Sequence, residues 1–253
     1  MLDDFVLLKS SFKDAPFINI YPLGDVHLGS KECNLDLLKE WVETVKEDPF
    51  GYAVIIGDLM NMGLKTSKTN IYEEVLNPME QKELCYEILS PIEDKILAGC
   101  SGNHEYRANR EVGMNPMYDV FCRMRIEDRY RQNACFVKLT VGNHSPNNNI
   151  TYGLVLTHGK SKKKDLDWTY AVDGADVFVS GHTHLGTHQP CGKIRMNLRD
   201  ESVKSVGYQH IVVLPFIEYG GYSIANKYLP NYLGQFQRIQ FGGSAKRVGY
   251  SYC

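Results

Sequence analysis

The sequence predicts an α/β fold of two packed sheets with helices on their outer faces, in one domain spanning residues 1–253. Three observations lead there. The first half alternates strand and helix patterns in the order β-α-β-α-β. The second half is rich in strand patterns. The 253 residues, 43% hydrophobic and 23% charged, contain no repeat, low-complexity segment or linker that would divide them.

The elements follow in order. Phe17-Ile-Asn-Ile-Tyr reads as a strand entering a Gly-Asp turn. Asn34 caps a helix with Leu35, Leu38, Trp41, Val42 and Val45 at i, i+3, i+4 spacing, and Asp48-Pro49 ends it. Tyr52 to Ile56 is a continuous apolar run, the type of strand buried on both faces. After the polar stretch Asn61 to Asn70, helical patterns lie on either side of Pro78 and reach Ser90-Pro91. Lys95 to Ala98 is a third strand, and Pro116 to Ile126 a helix. Cys135 to Val141 and Ile150 to Thr157 are strands joined by the turn-rich segment Gly142 to Asn149. Asp176 to Val179 is a short buried strand, and Arg195 to Leu198, Gln209 to Leu214 and Gln235 to Phe241 complete the second half.

Composition excludes several classes. With 28 Lys and Arg against 30 Asp and Glu, the formal net charge is -2, so a generic cationic coat for nucleic acid is absent while a local basic patch stays open. The best apolar runs, Tyr52 to Ile56 and Ile211 to Ile217, fall far short of a membrane span, and Pro215 interrupts the second. No membrane partner is expected. The acidic start without a small-residue cleavage site predicts no signal peptide. Seven scattered cysteines, none at C-x-x-C spacing, form neither a disulfide framework nor a thiolate zinc site. Free thiols in that number point to a reducing, cytoplasmic compartment.

The chemistry gathers at strand ends. Gly24-Asp25-Val26-His27, Gly57-Asp58-Leu59-Met60-Asn61, Gly102-Asn103-His104-Glu105, Thr157-His158-Gly159 and Gly181-His182-Thr183-His184 each follow an expected strand. Ligands of open α/β sheets bind beyond the carboxyl ends of strands, so five ends offer Asp, His and Asn to one place. Imidazole, carboxylate and amide oxygen without thiolate suit a borderline-to-hard divalent cation with open positions. Strand alternation would put both side chains of D-x-H on one face, and the spacing recurs in His182-Thr-His184. Glycines before Asp58, Asn103 and His182 permit sharp turns.

These five motifs, in this order over residues 25 to 184, resemble the calcineurin-like metallophosphoesterase superfamily, in the form of its compact bacterial and phage members. The resemblance implies a four-layer α-β-β-α sandwich of two mixed sheets with the metal site at the strand C-terminal ends. It implies two divalent ions, manganese foremost, with Fe, Zn, Ni or Mg as alternatives. Asp25, His27 and His184 would hold the first ion; Asn103, His158 and His182 the second; Asp58 would bridge them. Two ions about 3.5–4 Å apart clamp a phosphoryl group and share a hydroxide for in-line attack on phosphorus. His104 would stand beside them as the catalytic acid for the leaving group.

One departure shapes the substrate expectation. Phosphoprotein phosphatases of this superfamily carry G-D-x-x-D-R-G at the second motif. Here Asn61 stands at the later Asp, and no Arg follows. Asn61 can still hydrogen-bond His104. A diester is favoured over a monoester, and a nucleotide or nucleic acid over a lipid, because no apolar helical insertion is evident. The alternatives are a phosphomonoesterase of proteins or small metabolites and a non-catalytic scaffold, the last opposed by completeness of the motif set.

Arg107 and Asn61 are candidate substrate contacts. For Arg107 and Arg110 the other reading is a solvated helix face paired with Glu105 and Glu111. Lys160, Lys162, Lys163 and Lys164 are either a solvated loop or contacts to a phosphate backbone. Asp165, Asp167 and Trp168 are expected in a loop over the site. His144, His188 and His210 have no motif support. Ten of the 28 aromatics fall in residues 201 to 253, as sheet packing or as stacking surface. Oligomeric state is not readable from the sequence.

Overall fold

A computed structural model describes residues 3–65, 67, 71–142, 150–225, 230 and 234–253. Most of the expected 142–149 turn, with His144, and part of the 61–70 stretch lie outside the described residues. In chain order the elements are β1 (Leu8–Phe12), β2 (Phe17–Leu23), α1 (Leu35–Glu47), β3 (Gly51–Ile55), α2 (Pro78–Leu89), β4 (Ile96–Cys100), α3 (Asn103–Val112), α4 (Pro116–Arg123), β5 (Tyr130–Arg131) and β6 (Ala134–Val141). There follow β7 (Ile150–Thr157), α5 (Lys162–Ala171), β8 (Val177–Ser180), β9 (His188–Asn197), β10 (Ser202–Val212), α6 (Gly221–Ala225), β11 (Gln237–Gly242) and β12 (Val248–Tyr252).

Local chemistry explains the boundaries. Asn34 Oδ1 accepts the Leu37 N–H at 3.0 Å, opening α1, whose apolar face buries Leu37, Leu38, Trp41, Val42 and Val45. Asp48 turns extended and stops it. Pro78 is the first residue of α2, behind a capping box between Asn77 and Glu80. The helical pattern expected ahead of Pro78 is only a 3-10 turn, Ile71–Glu73. α4 ends at Arg123, short of Ile126, and a 3-10 turn, Glu127–Arg129, follows.

The first sheet has the order β12-β11-β2-β3-β4-β5, parallel from β2 to β5 and antiparallel at β11 and β12. The second has the order β1-β6-β7-β8-β10-β9 and is also mixed. Between them lies a core of Ile18, Ile20, Val54 and Ile56 against Val137, Leu139, Leu154, Val179 and Ile211. Burying such side chains contributes about 1.5–3 kcal/mol each. Helices α1, α2 and α4 cover the other face of the first sheet through Leu38, Trp41, Cys85, Leu89 and Phe121. Helix α5 covers the second, with Trp168 packed near Val155, Phe178 and Tyr208. This is the four-layer α-β-β-α arrangement expected from the sequence.

Three features depart from expectation. The segment Lys162–Ala171 forms helix α5 on the outer face, so Trp168 packs at a tilt against Phe136 instead of closing over the site. The two strands expected at 195–198 and 209–214 belong to one long hairpin, β9 and β10, paired from His188 to Ile211. The edge strands β1 and β12 were not expected. No helix among the described residues is long and apolar enough to cross a membrane, and all seven cysteines are free.

Candidate metal centre

Strands β2, β3 and β4 run parallel in the first sheet, and β7 and β8 run parallel in the second. Their carboxyl ends therefore open on one edge of the sandwich. Asp25 and His27 follow β2, Asp58 follows β3, Asn103 and His104 begin α3 after β4, His158 follows β7, and His182 and His184 follow β8.

The turns have an unusual backbone. Asp25, His27, Asp58, His182 and His184 all have positive φ, between 51° and 67°. Strand alternation is thus not what aligns the D-x-H pair; left-handed turns do, and such conformations persist only where surroundings over-determine them. Here the turns hold one another. The Asp25 N–H donates to Gly57 O at 3.1 Å, and the Val26 and His27 N–H groups donate to Asp58 O at 2.9 and 3.0 Å. The His104 N–H donates to Asp58 Oδ1 at 2.8 Å, and the His182 N–H to Asp25 Oδ2 at 2.9 Å. Gly57, at φ +85°, lies so close to the next turn that a Cβ there would stand 2.1 Å from Gly102 N.

Three clusters result: Asp25, His27 and His184; His27, Asp58 and His104; Asp58, His158 and His182, each with ligand atoms within 4.8 Å of one another. His158 Nε2 is 3.0 Å from Asp58 Oδ2 and 3.0 Å from Asn103 Oδ1. His184 Nε2 is 3.4 Å from Asp25 Oδ1 and 3.4 Å from His27 Nε2. His104 Nε2 is 3.8 Å from Asp58 Oδ2. The outer ring nitrogens are spoken for: His27 Nδ1 donates to Asn61 Oδ1 at 3.2 Å, His158 Nδ1 to Ile56 O at 3.0 Å, and His104 Nδ1 to Asn61 O at 2.7 Å. The rings of His27 and His104, when neutral, then present a lone pair at Nε2 toward the interior, whereas His158 Nε2 faces the Asp58 carboxylate. The Nε2 atoms of His27 and His184, 3.4 Å apart beside buried carboxylates, are a donor set that fits a divalent cation once both rings are neutral.

Electrostatics agree. Burial pushes the Asp58 carboxyl up, but His158 and His104 outweigh it and hold it well below the usual range. Burial likewise raises Asp25, and His184 outweighs it. Burial opposes charge on His158, yet Asp58 raises it to about 10. Burial, then His104, lowers His27 to about 3, so that ring is neutral at physiological pH. Burial and Arg107 lower His104 against the pull of Asp58. Burial lowers His182, and Asp25 raises His184 against burial.

Of the other sequence candidates, Asn61 is buried, with Oδ1 on His27 and Nδ2 donating to Glu74 Oε1 at 2.6 Å. Residue 61 does bond His104, through its main-chain carbonyl and not its side chain. Arg107 Nη1 donates to Ser67 Oγ at 2.8 Å, and Arg110 faces Glu111 at 3.7 Å. Glu105 is no solvated partner of Arg107. It is fully buried, and its carboxylate accepts the N–H groups of Asp58, Met60 and Gly102 at 2.8–3.0 Å. Burial and the Asp58 charge push it up to about 7. Lys160, Lys162, Lys163 and Lys164 are exposed around the start of α5, where buried Asp165 accepts the N–H groups of Lys160 and Ser161. His188 stacks on Tyr250 at 4.2 Å, and His210 is buried against Ser180. Of the C-terminal aromatics, Tyr208, Phe216, Phe236 and Phe241 are core. Sequence reasoning missed the roles of Glu105, Glu74 and Gln81. Glu105, three residues after Gly102, fits a capping-box spacing that signals the first; the other two have no local signal.

Residues 18–186 match the family model described as calcineurin-like phosphoesterase. No curated protein matches the chain. Three solved structures are similar to it at low identity. A conserved uncharacterized protein of Streptococcus pneumoniae TIGR4, predicted to be a phosphoesterase, is 12% identical over 92% of this chain and 88% of that one, with a TM-score of 0.39. A novel phosphatase from Mycoplasma pneumoniae is 13% identical over 94% and 93%, with a TM-score of 0.44. Wild-type Vps29 complexed with zinc, from Entamoeba histolytica, is 10% identical over 93% and 98%, with a TM-score of 0.36.

Proposed function

The chain belongs to the calcineurin-like phosphoesterase family, and from that premise we propose that this metal-dependent phosphoester hydrolase works with two divalent cations and prefers diesters of nucleotides or nucleic acid. Asp25, His27 and His184 would hold one cation, Asn103, His158 and His182 would hold the other, and Asp58 would serve both. The observation that carries this assignment is that Asp58 belongs both to the cluster containing His27 and to the cluster containing His158 and His182. Manganese is the proposed occupant. When bound, the pair supplies a Lewis-acid clamp on phosphoryl oxygens and a nucleophile drawn from water.

The chain's own groups do the rest. The Nδ1–H of His104 is committed to Asn61 O, which leaves Nε2 as the atom that takes up a proton and passes it to the leaving oxygen. Arg107, tethered at one nitrogen to Ser67, is the proposed phosphate contact. Asn61, expected from sequence to meet the substrate, acts through His27 instead, because both ends of its amide are engaged.

Diester preference is supported by the absence of an Arg in the second motif and by exposed Lys160, Lys162, Lys163 and Lys164 beyond His158. Exposed lysines that follow a ligand turn in sequence can track a polyanion, and binding of that kind weakens with salt. The test compares kcat/KM for a nitrophenyl monoester and its bis-nitrophenyl diester, then cleavage of labelled single-stranded DNA at low and high salt. A monoester advantage of tenfold or more with intact DNA would refute the diester reading. Metal analysis of Asp58→Asn should show both sites depleted; full occupancy would remove the bridging assignment.

A further inference from the structure

We propose that Glu74 is a positioning residue that fixes which nitrogen of His27 carries the proton, acting through Asn61 in a carboxylate–amide–imidazole chain. The proposal rests on the reading of His27 as a cation ligand. Glu74 lies outside all five strand-end motifs, just after the 3-10 turn Ile71–Glu73. Its Oε1 accepts from Asn61 Nδ2 at 2.6 Å, and Asn61 Oδ1 lies 3.2 Å from His27 Nδ1.

The two ends of an asparagine amide have nearly the same shape, so a neighbour must decide which way the group points. Burial raises the Glu74 carboxyl, yet both of its oxygens accept N–H groups, Oε1 from Asn61 and Oε2 from Gln81, so toward Asn61 it only accepts. It therefore draws the NH₂ end of Asn61 toward itself and turns the carbonyl end toward His27. That carbonyl can only accept, so His27 keeps its proton on Nδ1. Its lone pair is then on Nε2, the atom facing His184 Nε2 and Asp25. With the amide reversed, the NH₂ would face Nδ1, the proton would move to Nε2, and that nitrogen could not coordinate.

The far end of the chain is anchored as well. Glu74 Oε2 accepts from Gln81 Nε2 at 2.6 Å, and that nitrogen also donates to Leu76 O at 2.8 Å. Gln81 Oε1 accepts the Met62 N–H at 2.8 Å, and a main-chain N–H can only donate, so the Gln81 amide has one orientation. Gln81 is fully buried. Gly63 makes room for the carboxylate: a Cβ there would stand 2.4 Å from Glu74 Oε1. Every link from Met62 N–H through Gln81, Glu74 and Asn61 to His27 thus has a single polarity.

The polarity can be tested by inverting it. Glu74→Gln sets a donor where an acceptor is needed. Adding Asn61→Asp restores complementarity at unchanged net charge, since the new carboxylate at 61 accepts from both His27 and the new amide at 74. The readouts are Mn²⁺ affinity by calorimetry and the ¹⁵N signals of the His27 ring in metal-free protein. We expect His27 of the parent chain to be protonated at Nδ1. We expect Glu74→Gln to weaken one of two Mn²⁺ sites by about 10–100-fold, the usual effect of losing a partner behind a ligand. Its His27 signals should shift toward Nε2–H while circular dichroism is unchanged, and the double variant should return within threefold of the parent. Parent-like affinity with an Nδ1 proton in Glu74→Gln, or no recovery in the double variant, would overturn the proposal. So would an Nε2 proton on His27 in the parent, a readout that stands even if Glu74→Gln does not fold. His27→Ala separates the two readings: if it still binds two Mn²⁺ with parent affinity, the ligand assignment fails and not merely the role of Glu74.

Discussion

Replacing Gly57 by Ala puts a methyl group where the second and third ligand turns touch. Two costs add. Gly57 has φ +85°, and a left-handed backbone costs an L-residue about 1–2 kcal/mol. The new Cβ would also stand 2.1 Å from Gly102 N, 2.5 Å from Ser101 C and 2.6 Å from Gly102 Cα, all main-chain atoms that no rotamer change can clear. Relief to ordinary contact near 3.4 Å needs a displacement of about 1 Å between turns bearing Asp58 and Asn103, and a 1 Å misplacement at a reacting centre can cost about 10²-fold. Gly113 supplies the control. It has φ +68°, and a Cβ there would meet nothing within 4 Å, so Gly113→Ala incurs only the backbone cost. Urea denaturation of the metal-free proteins should show Gly113→Ala losing about 1–2 kcal/mol and Gly57→Ala clearly more. Diesterase assays should show kcat/KM near parent for Gly113→Ala and down about 10²-fold or more for Gly57→Ala. If the two variants lose equal stability and Gly57→Ala keeps kcat/KM within threefold, the close approach of these turns is not what aligns the centre.

Three further outcomes are expected. His158, raised to about 10 in the metal-free centre, holds a proton that stabilises the fold fully below about pH 6.5 and is lost as pH rises through about 10. A cation must displace it, so calorimetry in buffers of different ionisation enthalpy should show about one proton released per chain from this group at pH 7.5, with affinity rising up to about tenfold per pH unit in that window; pH-independent binding without release would contradict the assignment. His104→Ala should keep both cations and lose about 10²–10⁴-fold in activity, less for nitrophenol than for alkoxide leaving groups; an equal loss for both would make His104 a positioning group. Hydrogen bonds from Lys193 and Arg195 lower exposed Asp173 to about 2, and because solvent screens that pair, Asp173→Asn should cost no more than about 1 kcal/mol at pH 7, an effect that fades as pH falls from about 4 through about 2. Equal losses for Asp173→Asn at pH 7 and pH 2 in urea titrations would show that the ion pair is not their source.

Much of the architecture was legible because its signals are local. The Asn34 cap, the apolar spacing to Val45 and the Asp48-Pro49 stop define α1 within one short stretch of sequence. Strands β2, β3 and β4 are near-continuous apolar runs because both of their faces are covered. Elsewhere the signal is tertiary. β1 and β12 are edge strands with few buried side chains, made strands by the partners they find in β6 and β11. α5 opens with three lysines and shows little amphipathic pattern, so its helix is set by the Ser161 cap and the buried Asp165 and Thr169. At the centre, the residues themselves were readable from their strand ends, while the reason for their alignment was not: the left-handed turns at Asp25 and His27 depend on hydrogen bonds their N–H groups donate to the carbonyls of Gly57 and Asp58, more than 30 residues away. Glu74 and Gln81 reach Asn61 through side chains from a later segment, and nothing in their immediate sequence announces it.

The pairing of β2 with β11 has a consequence during synthesis. Asn19 waits for Gln240, 221 residues further along, before the first sheet closes on that side. At about 5–20 residues per second, ribosomes need roughly 10–40 s to deliver the missing strand. Through that interval the turns bearing Asp25, Asp58, Asn103, His158 and His182 have all been translated, yet the strand that starts the centre still shows an open row of main-chain donors and acceptors. An open strand edge of that kind is a template for pairing with another chain until β11 covers it.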